Sequence, residues 1–184
     1  MPAPNNLQPA PAPARYGRVA ISLHWLMAVG LLAMMAVGTY MAGLDLSPSK
    51  LKLYNQHKWA GVVLLLLAML RLAWRLTHRP PAAAPMPAWQ ARAAGLAHGL
   101  LYVLLFAVPL AGWAYSSAAG FPVVLFGVLP LPDLLPVDKS LAAAVRPLHR
   151  IAAWTLLALI VLHAAAALKH HFIDRDGLLR RMWP

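Results

Sequence analysis

The sequence predicts an all-α integral membrane protein, folded as a bundle of four transmembrane helices. Hydrophobic residues make up 61% of the 184 residues and charged residues 11%, whereas soluble domains are about half apolar and a quarter charged. Four apolar segments are each long enough for a helix to cross a hydrocarbon core roughly 30 Å thick. The 16 lysines and arginines flank these segments. The net charge of +11 therefore favours membrane orientation over nucleic-acid binding.

The absence of cysteine limits the chemistry that this chain can carry. Without thiols the protein has no disulfides, no iron–sulfur clusters, and no covalent attachment of a cofactor through cysteine. The eight histidines are the only abundant metal ligands.

The four spans are separated by links of different character. Residues 1–14 are rich in Pro and Ala and predict a disordered tail, without the charged start and apolar core of a signal peptide. Residues 15–175 form the four-helix transmembrane domain, and residues 176–184 a basic tail. The connection 117–145 is expected to be an interfacial cap over one end of the bundle. The predicted spans are 19–43, 54–76, 91–116 and 146–171.

The fourth span carries a histidine near each end, His149 and His163. Fourteen residues of helix separate the two by about 21 Å along the axis and leave them roughly 40° from eclipsed. Polar side chains are costly in lipid and tend to mark function. Two imidazoles on one face suggest two copies of a flat, apolar cofactor that histidine binds, and haem fits this description. The alternative is that both histidines only hydrogen-bond neighbouring helices.

The depth of the other histidines selects partners for these two. His57 begins the second span and lies at the depth of His149, and His24 lies at the depth of His163. Each pair could hold one haem between two helices of the bundle. His98 lies on the same side as His24, but His24 is preferred as the partner of His163. The spare histidine could serve a quinone, a proton path or a helix contact. Gly30 and Gly38 of the first span leave room for a close helix or a flat ring.

The distribution of lysine and arginine predicts the orientation. Ten of these residues flank the side that holds both chain ends, and six flank the other side. The positive-inside rule therefore places both termini in the cytoplasm.

Several stretches of this chain resemble the bacterial cytochrome b561 family, and most closely its superoxide oxidase branch. The resemblance covers residues from about 15 to 182. Its motifs are RYGRVAISLHW at 15–25, NQHKWAG at 55–61, RLAWR at 71–75, GLAH at 95–98, PLH at 147–149, LHAAAALKHH at 162–171 and LLRRM at 178–182.

The resemblance implies a function and its cofactors. It implies two non-covalent b haems on the four paired histidines, and it favours His24 over His98. It further implies that superoxide is oxidised to dioxygen at the periplasmic face of the bacterial inner membrane, and that the electrons pass through both haems to ubiquinone. The alternative is a di-haem subunit that relays electrons between a partner dehydrogenase or hydrogenase and the quinone pool.

The remaining candidate residues are cationic side chains near the two haem sites. On the inner side, Arg18, Arg71 and Arg75 could bind haem propionates, or could serve only as positive-inside anchors. On the outer side, Lys58, Arg146 and Arg150 lie beside the outer ligands and could steer the superoxide anion. Contact with lipid head groups is the alternative for these outer cations.

Overall fold

Four long α-helices make up most of the chain. The computed structural model describes residues 15–82 and 86–183, so the predicted tail 1–14 lies outside the described residues. All four helices are long and apolar enough to cross a membrane, which confirms the predicted all-α membrane bundle. The helices are α1 (Arg18–Ala42), α2 (Pro48–Thr77), α3 (Ala88–Ala118) and α4 (Lys139–Lys169).

Helices α2 and α4 begin earlier than the sequence predicted. The predicted membrane spans started at 54 and 146, and the helices extend further because capping residues lengthen each helix beyond its apolar segment. The Ser47 hydroxyl accepts the Lys50 N–H at 3.2 Å, and Pro48 occupies the first turn. At α4, Asp138 accepts the Ser140 N–H at 2.7 Å. The Ser140 hydroxyl, the Leu141 N–H and the Ser140 N–H all donate to this carboxylate and hold the pKa of Asp138 below its usual value. A charged carboxylate therefore stands at the positive end of α4.

The bundle consists of two closely packed helix pairs, α1 with α2 and α3 with α4, joined by contacts between α2 and α3. Gly30 explains part of the first pairing, since a Cβ there would lie 2.9 Å from the side chain of Leu64. Large apolar side chains such as Val29 and Leu66 are exposed on the outside of the helices. Such a surface suits contact with lipid rather than water.

The connection between α3 and α4 contains a short β-hairpin. Strand β1 (Val124–Leu125) pairs antiparallel with β2 (Leu129–Pro130). The ammonium of Lys58 donates to the carbonyls of Phe121 and Pro122 at 3.3 and 3.1 Å. The ring of Trp59 packs against Phe126, with ring centroids 5.9 Å apart. The connection is therefore fastened to α2. The bundle end that carries it is called the loop end below. The opposite end, where the described residues begin and end, is called the terminal end.

Candidate functional site

Two pairs of histidines face each other inside the bundle, one pair at each end. At the loop end, the ring centroids of His57 on α2 and His149 on α4 are 6.4 Å apart, and the ring planes are at 89°. At the terminal end, the centroids of His24 on α1 and His163 on α4 are 6.2 Å apart, at 70°. Helix α4 thus contributes one histidine to each pair.

The spacing within each pair matches two imidazoles that bind opposite sides of one metal ion. A metal–imidazole bond is about 2 Å long and the ring nitrogen lies about 1 Å from the ring centroid, so the two centroids should lie about 6 Å apart. Both observed separations, 6.4 and 6.2 Å, agree with this value. Two rings that only hydrogen-bonded each other would not need to lie at this centroid separation.

A cavity of about 680 Å³ surrounds the loop-end pair. Its volume falls within the range of small-molecule and cofactor sites. Most of its lining is apolar, including Met34 and Leu156, and Trp113 also lines it. Among the described residues, the Trp113 indole nitrogen and the Nδ1 atom of His57 are buried without a hydrogen-bond partner. An apolar cavity with two facing imidazoles and an unpartnered N–H donor fits haem, which has an apolar ring, a metal ion and polar propionates.

Two glycines give the loop-end histidines the space they occupy. A Cβ at Gly38 would lie 3.1 Å from Cε1 of His57, and a Cβ at Gly112 would lie 2.9 Å from Cε1 of His149. The room at Gly38 was predicted from the sequence, whereas Gly112 was missed. Gly112 could have been identified from the sequence, because it is a glycine on a neighbouring span at the same depth as a candidate ligand.

The hydrogen bond of His149 fixes which ring nitrogen is free. Its Nδ1 lies 2.9 Å from the carbonyl oxygen of Val108. A carbonyl can only accept, so Nδ1 carries the proton and Nε2 keeps its lone pair. Metal-bound histidines are commonly oriented by such a bond from the other ring nitrogen. His149 is therefore in the tautomer that a metal ligand needs.

The terminal end contains a third histidine beside the expected pair. The ring centroid of His98 lies 5.2 Å from that of His163, and His98 Nδ1 lies 2.8 Å from the Ala94 carbonyl. His98 therefore also has a free Nε2 lone pair. His24 differs, because its Nδ1 lies 3.3 Å from the guanidinium of Arg71, which can only donate. Neutral His24 thus carries its proton on Nε2, and binding a metal there requires that proton to leave.

The predicted cations occupy different positions. Arg71 is partly buried and also donates to the Ala20 carbonyl at 3.2 Å, while the guanidinium of Arg75 lies 5.9 Å from the centroid of the Tyr102 ring. Arg18 is exposed at the start of α1. At the loop end, Arg146 is exposed and lines the cavity.

The other two loop-end cations differ in how they are held. Arg150 is exposed beside His149. Lys58 is half-buried and holds the two loop carbonyls described above.

A transmembrane four-helix bundle with paired interior histidines is the architecture of a membrane b-type cytochrome. This chain belongs to the prokaryotic cytochrome b561 family, whose model matches residues 15–184. The family binds b-type haem and transfers electrons, so the protein is a bacterial multi-pass membrane protein of electron transport.

Relatives along nearly the whole chain support the assignment. Cytochrome b561 homolog 2 of Escherichia coli (strain K12) is 37% identical over 174 residues, covering 92% of each chain. Cytochrome b561 homolog 1 of the same organism is 33% identical over 177 residues, covering 92% of this chain and 97% of the relative. A probable superoxide oxidase CybB of Yersinia pestis is 29% identical over 175 residues, covering 92% of this chain and 96% of the relative.

Proposed function

We propose that this protein is a superoxide:ubiquinone oxidoreductase. Two superoxide anions, ubiquinone and two protons become two molecules of dioxygen and one ubiquinol. The observation that carries the proposal is the pair of facing histidine sites, one at each end of the bundle, with ring centroids 6.4 and 6.2 Å apart. The similarity to a probable superoxide oxidase supports the choice of substrate.

In this proposal two b haems are bound per chain. His57 and His149 hold the loop-end haem, and His24 and His163 hold the terminal-end haem. When bound, haem supplies the reversible one-electron chemistry that a one-electron donor and a two-electron acceptor both require. With two histidines on each haem, this chain's residues would hold the haems, exclude water and admit the two substrates at separate ends of the bundle.

The cations of the terminal end bind propionates in this proposal. Arg71 points into the bundle beside His24, and Arg18 and Arg75 lie at the same end. Arg71 would bind a propionate in place of its contact with Nδ1 of His24. The proton of neutral His24 would then lie on Nδ1 instead of Nε2, with no net gain of a proton, and Nε2 would have the free lone pair that ligation requires.

Superoxide is taken up at the loop end. Arg146 lines the cavity of the loop-end histidines, and Arg150 follows His149 in the chain. Lys58 follows His57 and completes the cationic rim. A positive rim of this kind raises the encounter rate of a small anion.

Ubiquinone is reduced at the terminal end, where His98 is the candidate quinone or proton-path residue. Its ring contacts His163, and its Nε2 has no proton when the side chain is neutral. That nitrogen could hydrogen-bond a quinol hydroxyl or carry a proton. The orientation that suits this arrangement has both termini in the cytoplasm of a bacterium and the loop end in the periplasm.

The purified protein tests the proposal without any partner. The protein in detergent, or in vesicles, receives a superoxide source and a short-chain ubiquinone, and ubiquinol formation is followed by its absorbance. Superoxide dismutase should abolish the signal. We expect ubiquinol to form at half the rate of the superoxide loss that the protein adds to spontaneous dismutation. Haem reduction without ubiquinol, or no reaction at all, would reject the proposal.

A relay of electrons from a partner protein to quinone is the second candidate function. The engagement of Lys58 with the loop carbonyls favours it, because that ammonium is partly withdrawn from a steering surface. The same assay separates the two candidates, since a relay subunit alone would not couple superoxide to quinone.

A further inference from the structure

The C-terminal residues 178–183 fold back onto the start of α1 instead of leaving the bundle. We call these residues the C-terminal clasp. The Tyr16 N–H donates to the Arg181 carbonyl at 3.1 Å. The Trp25 indole N–H donates to the Met182 carbonyl at 2.7 Å. Arg15 donates to the Trp183 carbonyl at 2.5 Å. Three successive carbonyls of the clasp are thus bound by side chains or backbone at the start of the chain.

Arg181 anchors the clasp from within. It is only 7% exposed, and its guanidinium donates to the Ala82 carbonyl at 2.5 Å and lies 6.0 Å from the centroid of the Tyr16 ring. A positive-inside anchor would keep its charge in water or among head groups. Arg181 instead joins the start of α1, the α2–α3 link and the chain end.

A polar turn directs the chain from α4 into the clasp. After the π turn His170–Asp174, the Asp176 carboxylate binds His170 Nδ1 at 2.6 Å and accepts the Leu178 N–H at 2.9 Å. Arg175 and Gly177 have φ values of 52° and 74°, which reverse the chain direction. The residues between the end of α4 and the clasp therefore set where the clasp lies.

The clasp reaches a predicted haem ligand through one residue. Trp25 follows His24, and their ring centroids are 5.6 Å apart with planes at 76°. The Trp25 ring also contacts Trp183, with centroids 6.2 Å apart and planes at 80°. The His24 ring thus packs against a tryptophan that the clasp holds by a hydrogen bond to its N–H and by a ring contact.

From these contacts we propose that the C-terminal clasp positions His24 through Trp25 and sets the redox potential of the terminal-end haem. The clasp also shields that end of the bundle from water. Water stabilises the more highly charged ferric state, so shielding raises the potential. The proposal rests on His24 as a haem ligand, which is part of the proposed function, but it requires neither superoxide nor ubiquinone as substrate.

An optical redox titration of the purified, haem-loaded protein tests this proposal. One variant ends after Gly177, and a second, Trp25→Phe, removes the indole N–H and keeps an aromatic ring. We expect both variants to retain two haems and to lower the potential of one haem only. The expected size is about a tenfold rise in the oxidised-to-reduced ratio at the wild-type midpoint, which equals about 59 mV for a one-electron couple.

Trp89→Phe is the matched control, because Trp89 is exposed at the same end and the same chemical change should leave both potentials unaltered. Combining either variant with His163→Ala identifies the affected haem. The haem whose potential was lowered should be missing from the combined variant. If the truncated chain loses haem, Trp25→Phe decides the question. Two unchanged potentials, or an equal shift of both, would overturn the proposal. Superoxide activity plays no part in the titration, so the proposed substrate can fail independently.

Discussion

At the scale of single residues, the proton positions on the histidines distinguish the two ends of the bundle. His149 and His98 donate through Nδ1 to backbone carbonyls and therefore have a free Nε2. His24 accepts from Arg71 instead. The ring spacing favours His24 as the partner of His163, whereas the tautomer favours His98. The two criteria therefore predict that different substitutions, at His24 or at His98, remove the terminal-end haem.

The first prediction concerns this choice. His24→Ala should reduce the haem content from two per chain to one, because a 6.2 Å centroid separation suits a shared ion and 5.2 Å is short for one. His98→Ala should keep both haems. A pyridine haemochrome assay against protein concentration measures the content. Loss of a haem in His98→Ala, with both retained in His24→Ala, would assign the site to His98 and His163.

The second prediction concerns the glycine beside His149. The methyl group of Gly112→Ala would lie 2.9 Å from Cε1 of the His149 ring. The ring must therefore leave its present position, in which it faces His57. We expect loss of the loop-end haem, or at least about a tenfold weaker retention of it, seen as one haem per chain after gel filtration; a tenfold change in binding is about 1.4 kcal/mol.

Gly99→Ala provides the control for Gly112→Ala on the same helix. A Cβ at Gly99 meets nothing within 4 Å among the described residues, so that variant should keep both haems. Equal haem content in the two variants would show that the ring has room to shift without releasing its cofactor.

At the scale of elements, apolar length predicted the helices but not where they begin. Helix α2 begins at Pro48 and α4 at Lys139, because Ser47 and Asp138 cap polar turns that precede the apolar segments. Those caps were visible in the sequence as Ser-Pro and Asp-Lys-Ser. The contact between Lys58 and the loop was not visible, since it joins residues 63 and 64 positions apart.

The third prediction belongs to the loop-end cations. If they steer superoxide, its oxidation should slow as ionic strength rises past about 0.1 M, where the Debye length is about 10 Å. Changing Lys58 and Arg150 together to Gln should lower the rate and flatten this salt dependence, with both haems retained. Steering contributes between about tenfold and a thousandfold to association rates. Stopped-flow measurement of haem reduction by superoxide, over a salt series, provides the rates.

The single variants separate steering from loop attachment. Arg150→Gln changes charge alone, because Arg150 is exposed, whereas Lys58→Gln also removes the two bonds to the loop carbonyls. Lys52→Gln, exposed at the same end, is the charge control further from the ligands. A double variant as fast and as salt-sensitive as the wild type would show that these cations do not steer the substrate.

At the scale of the whole molecule, the two histidines of α4 determine the arrangement of the sites. Their spacing of 14 residues predicted two sites at opposite depths, and the structure brings His57 to one and His24 to the other. The depth of each histidine could be predicted because it follows from position along a helix. The contacts of Arg71 and of the clasp could not be, because they depend on how the helices rotate and where the chain end returns.

The central claim is that each of the two histidine pairs holds one haem. Counting haem in the purified protein tests it most directly, by pyridine haemochrome absorbance divided by chain concentration. The account predicts two haems per wild-type chain, and one in each of His149→Ala and His163→Ala, with different spectra and potentials remaining in the two variants. One haem per wild-type chain, or two in either variant, would contradict the account.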